Sequence, residues 1–338
     1  MVTSTNTATR YKIVRLLADG RFHSGEEMAA SFSVSRAAIW KQLKVIQGEL
    51  GLQVFAVRGK GYRLAHPLEL LDQEQIEQNL TPSARLQLTQ IDIESRLDST
   101  NSYLTKAGAD GAASGHVCLA EQQSAGKGRR GRQWVSPFGS NVYLSLLWRY
   151  SLGMAELSGL SLAVGLGVVR GLEVLGVSGV GLKWPNDVLY QNKKLAGLLL
   201  EVAGEQGGPS RVVVGLGLNT RLTEQQGADI DQPWTDLSQL PEAGSISRNK
   251  LVAVLLSQLL EVMAQFGHAG LKPLVEEWHR YDIYYGRAVS LQAGNRCIEG
   301  VHRGIDDTGA LLLEIEGSIK VYHGGEVSLR STSAEVVG

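Results

Sequence analysis

Cysteine is nearly absent: among 338 residues there are two, Cys118 and Cys297. They lie far apart and lack CxxC spacing, which excludes a disulfide framework and a zinc site built on them. Both read as inert thiols. His302 and His323 have no metal-like partners in sequence and read as surface histidines, so no metal-ligating residues are expected. No long apolar run goes uninterrupted. The most apolar stretch, Leu157 to Val177, contains Arg170, Glu173 and several glycines, which suits a buried helix better than a membrane span. Met1 to Arg10 is rich in Thr and Ser and has no apolar core, so no signal peptide is expected. A cytoplasmic protein without a membrane partner is the expectation. Missing too are a Walker A loop and a Ser/His/Asp or Cys/His arrangement for covalent catalysis.

What is present is ordinary in bulk and uneven in distribution. The hydrophobic fraction is 43% and the charged fraction 20%, as in soluble globular proteins. The length favours two or three domains. Net charge is only -1, but Met1 to His66 holds ten basic residues against four acids, net +6, and the remainder 23 against 30, net −7. A basic segment on an acidic body reads as a nucleic-acid-facing domain joined to something else.

That segment has a helical apolar pattern at Ile13, Val14, Leu16 and Leu17 within Tyr11 to Ala18. After Asp19-Gly20, Ser24 can cap a helix over Gly25 to Ser31, with Glu27 completing a capping box. Ser35 can cap a third helix reaching about Leu50, with Ala38, Ile39, Leu43 and Ile46 inward and Ser35, Arg36, Lys41 and Lys44 outward. Two short helices joined by a tight turn form the helix-turn-helix pattern. Gln53 to Val57 and Tyr62 to Leu64 then read as a hairpin whose tip, Arg58-Gly59-Lys60-Gly61, can lie along phosphates as a wing. A small protein-docking module is the alternative. Trp40 either packs against the wing or stands exposed.

Beyond His66-Pro67, a short helix is expected from about Asp72 to Leu80 and a strand from Leu86 to Arg96. Asp98-Ser99-Thr100-Asn101 opens a helix through Lys106. Val117 to Glu121 reads as a strand entering Gly126-Lys127-Gly128-Arg129-Arg130-Gly131-Arg132. Three glycines alternating with four cations make an anion cradle: glycines let backbone N–H groups approach, and guanidinium groups bind carboxylate or phosphate in a fork. A triphosphate beside a carboxylate would need such charge; a basic loop for nucleic acid reads the same way. Strands are expected at Asn141 to Trp148, up to Leu182, at Leu198 to Val202 and at Val212 to Leu216, with an apolar helix over Leu157 to Leu175. Helices are expected from Asn249 to Phe266 and Leu271 to Trp278. Five short strands follow: Ala288 to Gln292, Arg296 to Ile305, Ala310 to Ile315, Ile319 to Val321 and Glu326 to Leu329. Their turns suggest a small SH3-like barrel.

Asp98 to Asn101, Gly126 to Arg132 with Trp134, Lys183-Trp184-Pro185-Asn186-Asp187, Lys194-Leu195-Ala196-Gly197 and Gly215 to Asn219 occur in the order found in biotin protein ligases, and the chain resembles that family over nearly its whole length. The first segment, from Phe22 through Ser35-Arg36 to Tyr62, is similar to the DNA-binding domain of members that double as the biotin-operon repressor. The resemblance implies an α+β multidomain fold: a winged helix-turn-helix over 1–66, a mixed-sheet α/β ligase domain over 67–283, and an SH3-like β-barrel over 284–338. It implies that biotin and MgATP give biotinyl-5′-AMP, which a lysine of the biotin carboxyl carrier protein of acetyl-CoA carboxylase then attacks.

By the same resemblance, Ser99, Thr100, Asn101 and Gln123 hold the biotin ring and ureido group. Lys127, Gly128, Arg129 and Arg130 clamp carboxylate and phosphates, and Lys194 with Arg129 is catalytic. Lys183, Asn186, Asp187 and Asn219 lie on the nucleotide and Mg2+ side. Arg221 to Gln232 resembles the adenylate-binding loop, with Ile230 and Trp234 folding over adenine; otherwise Trp234 anchors a surface loop. Operator DNA would meet Ser35, Arg36, Lys41, Lys44, Arg58 and Lys60, in a homodimer formed when adenylate is bound. One departure stands out: the family more often has arginine at Lys127, so the planar fork is lost there. A lipoate-type ligase is disfavoured because its Arg-Arg-x-Ser-Gly-Gly-Gly loop is missing. A ligand-sensing transcription factor without ligase activity is disfavoured by Arg129, Lys183 and Lys194.

Overall fold

Helices begin where a short polar side chain can satisfy the first free N–H groups. This holds for seven helices of the computed structural model, which describes residues 2–204, 207–241, 243, 246–293, 296–323 and 327–331, while those starting at Leu160 and Val275 have no side-chain cap. The N-terminal domain has α1 (Val2–Leu17), α2 (Gly25–Ser31) and α3 (Arg36–Glu49). Ser35 Oγ accepts from Ala38 N–H at 3.1 Å and starts α3. Ser24 caps α2 through Glu26 N–H at 3.2 Å, not through the expected box with Glu27. Strands β1 (Val54–Val57) and β2 (Gly61–Leu64) pair antiparallel as the wing, and Tyr62 exchanges both backbone hydrogen bonds with His23. Gly61, at φ 101°, permits that closure, because a Cβ there would sit 2.0 Å from His23 O. Ile13, Val14, Leu17, Met28, Ile39, Leu43, Ile46 and Leu64 fill the core beneath.

The central domain comprises α4 (Gln73–Gln78), α5 (Pro82–Gln87), β3 (Gln90–Glu94), α6 (Thr100–Ala109), β4 (His116–Ala120), β5 (Asn141–Tyr150), α7 (Leu160–Val174), β6 (Val180–Lys183), β7 (Asp187–Tyr190), β8 (Lys193–Gly204), β9 (Ser210–Asn219), α8 (Glu224–Gly227), α9 (Arg248–Ala269) and α10 (Val275–Tyr281). The sheet runs β3-β4-β5-β9-β8-β7-β6, with only β3 and β4 parallel. The strand expected from Leu86 starts later. Thr81 Oγ1 caps α5 with Pro82 at its first position, a combination that favours helix, so Leu86 is helical and exposed. Met154–Val174 and α9 are long and apolar enough to cross a membrane by length and composition, but each is mostly buried in protein. α7 and α9 pack on each other and on the sheet, which accounts for their apolar character.

Five antiparallel strands close the chain: β10 (Ala288–Ala293), β11 (Arg296–Ile305), β12 (Leu311–Ile315), β13 (Ser318–Tyr322) and β14 (Val327–Ser331), in the order β13-β12-β11-β10-β14. The expected strand start at Glu326 lies outside the described residues. His302 corrects the sequence reading. It is fully buried, because alternation along β11 turns it inward, and its Nε2 lies 2.6 Å from Asp282 Oδ2. His323 is exposed.

The N-terminal and central domains are joined through side chains as well as chain. Phe138, from the loop before β5, is 2% exposed and belongs to the N-terminal core. Buried Glu121 accepts Leu71 N–H at 2.6 Å and Arg248 Nη1 at 2.6 Å, and Arg248 also donates to Glu69 O at 3.1 Å. Burial raises the Glu69 pKa, but donors from Ser247, Arg248 and Asn249 outweigh it and hold the carboxyl below its usual range.

Candidate active site and recognition helix

The ends of the central strands and the glycine–arginine loop enclose a cleft of about 840 Å³. All residues expected on the biotin and nucleotide sides line it: Ser99, Thr100, Asn101, Gln123, Lys127, Gly128, Arg129, Arg130, Lys183, Asn186, Asp187, Lys194, Asn219, Ile230 and Trp234. They come from the start of α6, the loop after β4, β6–β9 and the segment after α8, so distant stretches of sequence converge on one surface.

One end is neutral and tightly bonded. Gln123 Oε1 accepts Thr100 N–H at 2.9 Å, and Gln123 Nε2 donates to Ser136 Oγ at 3.0 Å. Buried Ser145 Oγ lies 2.6 Å from Asn101 Oδ1 and 2.7 Å from Thr100 Oγ1. Asn101 Nδ2 donates to Leu199 O at 3.2 Å and Glu201 Oε2 at 3.0 Å. Both its N–H groups are thus committed within the protein, which suits Asn101 to holding the wall rigid. Trp134 forms the floor. A Cβ on Gly217 would lie 2.4 Å from its indole, so the glycine makes room for the ring. The buried Trp134 Nε1 has no hydrogen-bond partner among the described residues.

The other end is cationic. Six basic residues and three carboxylates line the cleft. Lys194 Nζ is 2.8 Å from Asp187 Oδ1 and 5.5 Å from the Trp134 ring centroid, and Lys183 Nζ is 3.8 Å from Asp187 Oδ2. Arg129 Nη1 donates to Asn186 Oδ1 at 3.0 Å, and Asn186 Nδ2 donates to Leu198 O at 2.7 Å. Burial, then the neighbouring Arg130, pulls the Arg129 guanidinium below its ordinary pKa, with Asp187 opposing. A bound anion would relieve that repulsion. Arg130, at φ 58°, turns the loop back on itself, and Gly128 N–H donates to Arg132 O at 2.7 Å.

Lys127 is 3.4 Å from Glu201 Oε1. The segment around Trp234 is seated on Lys194: Lys194 N–H donates to Pro233 O at 2.9 Å, and Thr235 N–H to Lys194 O at 3.0 Å. Trp234 both lines the cleft and packs on Gly227, where a Cβ would meet its ring at 2.2 Å.

In the N-terminal domain, Ser35, Arg36, Lys41 and Lys44 are exposed on α3, and Arg58 and Lys60 are exposed at the wing tip. Two features there were not assigned from sequence. Trp40 is 54% exposed, with Lys44 Nζ 5.7 Å from its ring centroid. Arg63 lies between Phe22 and Phe55, 5.2 Å from each ring; strand pairing sets it opposite Phe55. Sequence reasoning gave no role to Trp134 or Tyr284, which line the cleft, or to Ser145 and Glu201, which bond Asn101 behind it. Ser145 had a detectable signal, the one serine amid the largely apolar residues of β5.

Comparison with known proteins puts these two sites together. Residues 94–219 match the biotin/lipoate A/B protein ligase family, 9–63 an HTH domain, and 284–330 the biotin protein ligase C terminal domain. These define the class: a biotin protein ligase carrying a helix-turn-helix domain. The chain is 42% identical to the bifunctional ligase/repressor BirA of Escherichia coli over 321 residues, 95% of this chain and 97% of that one. It is 35% identical to the biotin--[acetyl-CoA-carboxylase] ligase of Mycobacterium tuberculosis over 70% of this chain and 88% of that one. The solved biotin protein ligase from Aquifex aeolicus in complex with biotin and ATP superimposes with a TM-score of 0.61 at 28% identity, covering 72% of this chain and 100% of that one. The chain belongs to the biotin protein ligase family, in its bifunctional ligase/repressor form.

Proposed function

We infer that the protein makes biotinyl-5′-AMP from biotin and ATP, transfers biotin to a lysine of the biotin carboxyl carrier protein of acetyl-CoA carboxylase, and represses the biotin operon with the adenylate as corepressor. The observation that supports this most directly is the single cleft with a neutral, bonded end beside a cationic end. A ureido ring and an aliphatic chain suit the first, a carboxylate meeting a triphosphate the second.

In the first step a biotin carboxylate oxygen attacks the α-phosphorus, and the bond to pyrophosphate breaks. Negative charge concentrates between acyl and phosphoryl oxygens, where Lys194, steadied by Asp187, and Arg129, steadied by Asn186, would stabilise it without reorganising. In the second step the neutral carrier lysine attacks the acyl carbon, AMP leaves with the bonding pair, and the amine sheds its proton. Ser99, Thr100 and Gln123 would hold biotin, with Asn101 and Gly128 shaping the wall and Lys127 near the carboxylate. Lys183, Arg130 and Asn219 would face the nucleotide, and Ile230 and Trp234 would cover adenine. Mg2+ needs one or two protein carboxylates when phosphates supply the rest; Asp187, Asp229 and Asp231 are the carboxylates that line the cleft among the described residues.

The C-terminal sheet we read as an SH3-like barrel, with domain boundaries at 66/67 and 283/284. Ser35, Arg36, Lys41, Lys44, Arg58 and Lys60 would meet operator DNA, two copies of the chain binding once adenylate fills the cleft, in the cytoplasm. Incubating the protein with radiolabelled biotin, MgATP and a carrier domain should label the carrier, and a gel shift with upstream DNA should strengthen when biotin and ATP are added. An unlabelled carrier would overturn the enzymatic half, and a shift indifferent to both ligands the regulatory half.

A further inference from the structure

An exposed indole on a helix that already has a full apolar face calls for an explanation. On α3, Ile39, Leu43 and Ile46 supply the buried stripe, and Trp40 points away from it, 54% exposed. Arg36, Trp40 and Lys44 are spaced by four and share the outer face. The Lys44 ammonium stands 5.7 Å from the indole centroid, so the cation beside the ring is itself a solvent-facing group. From Arg36 to Gly48 the helix carries no acid, and Glu49 at its end is tied to Arg10 at 2.8 Å. A purely basic face around one aromatic fits a polyanion far better than the groove of another protein.

Position narrows what the indole would touch. In helix-turn-helix docking the first turns of the second helix face base edges, while longer charged side chains and the wing reach phosphates. Trp40 stands just past the first turn counted from the Ser35 cap. In the major groove the apolar group at a base edge is the thymine 5-methyl. We propose that Trp40 is a base-reading residue that covers a thymine methyl in each operator half-site, with Arg36 and Lys44 flanking it. The proposal rests on the DNA-binding function inferred above.

The test uses the full-length protein with biotin and MgATP. Bound sequences are selected from a randomised duplex pool, and each thymine of the winning duplex is then replaced singly by deoxyuridine, which removes only the methyl. At one thymine per half-site the wild type should lose about three- to fivefold in affinity, the factor carried by one buried methyl. Trp40→Ala should bind more weakly, become indifferent to deoxyuridine at that position alone, and keep the wild-type salt slope. Trp40→Phe should recover most of the sensitivity. Equal sensitivity in wild type and Trp40→Ala, or no sensitive thymine in the wild type, would overturn the role of Trp40. A wild type that enriches no sequence would instead overturn the repressor function, and the proposal with it.

Discussion

The cleft and the recognition helix treat charge in opposite ways. In the cleft, four of the six cations are matched before any ligand arrives: Lys194 and Lys183 with Asp187, Arg129 with Asn186, Lys127 with Glu201. On α3 and the wing tip, Arg36, Lys41, Lys44, Arg58 and Lys60 have no ion pair among the described residues and stand in solvent. The difference follows from what each surface meets. A reacting carboxylate needs groups already in place, since reorganisation during the reaction costs rate. A DNA backbone brings its own regular charge, and binding gains from releasing its counterions, so flexible cations suffice. One short loop serves both regions: in it Trp134 floors the cleft, Ser136 bonds Gln123 and Phe138 enters the N-terminal core.

Cutting that junction should have the largest effect. Phe138→Ala removes a ring that is 2% exposed and should cost about 3–5 kcal/mol, as large-to-small core changes do. Because the same loop holds Gln123, the KM for biotin should rise as well. Urea unfolding followed by circular dichroism, with ligation kinetics alongside, measures both. A destabilised variant with unchanged biotin KM would show that the two regions merely touch.

Lys194→Ala comes next. Losing a preorganised group at developing charge costs about 10²–10³ in rate, and rapid-quench measurement of adenylate formation should show a drop of that order. DNA affinity without ligands should stay unchanged, since Lys194 lies in the cleft. A normal rate of adenylate formation would remove Lys194 from the chemistry.

How much of this contrast was legible in the sequence depended on the physical origin of each feature. The recognition helix could be read for its cap Ser35, its inward Ile39, Leu43 and Ile46 and its outward bases, because helical periodicity and capping are local, but the exposure of Trp40 and the burial of Gln42 could not. The residues lining the cleft could be named because they fall in short motifs, but their partners could not. Nothing near Lys127 in sequence points to Glu201, and nothing near Thr100 points to Ser145; sheet pairing brings them together. His302 was misread for a related reason: its burial depends on which face of β11 meets Asp282. The strand expected at Leu86 failed locally, where the Thr81-Pro82 helix start outweighed an alternating pattern. Gly217 was noticed as part of a glycine run, but its close approach to Trp134 exists only in three dimensions.

A milder change should separate the regions. Substituting both wing-tip cations, Arg58→Gln with Lys60→Gln, should lower DNA affinity evenly across sequences. If each meets one phosphate, the slope of log affinity against log salt should shrink by about 1.8, at about 0.9 per contact. Gel shifts from low to moderate salt measure the slope, and ligation should be untouched. An unchanged slope would take the wing tip off the DNA.

The smallest effect should come from a pair outside both surfaces, which gives the contrast its control. Arg170 on α7 donates to Glu277 on α10 at 2.8 Å. That hydrogen bond, working against burial, holds the Glu277 carboxyl below its ordinary range. With its folded pKa depressed, Glu277 adds stability that is present above the unfolded value and lost as pH falls through the folded one. Glu277→Gln should therefore flatten the stability profile in that acidic window and lower stability modestly at neutral pH. Thermal midpoints taken from pH 3 to pH 7 would show it. Adenylate formation and DNA binding at neutral pH should stay at wild-type levels, because this pair lines neither the cleft nor the recognition face. If Glu277→Gln altered either one, the separation between a prepaired cleft and an open DNA face would have to include the packing of α7 on α10.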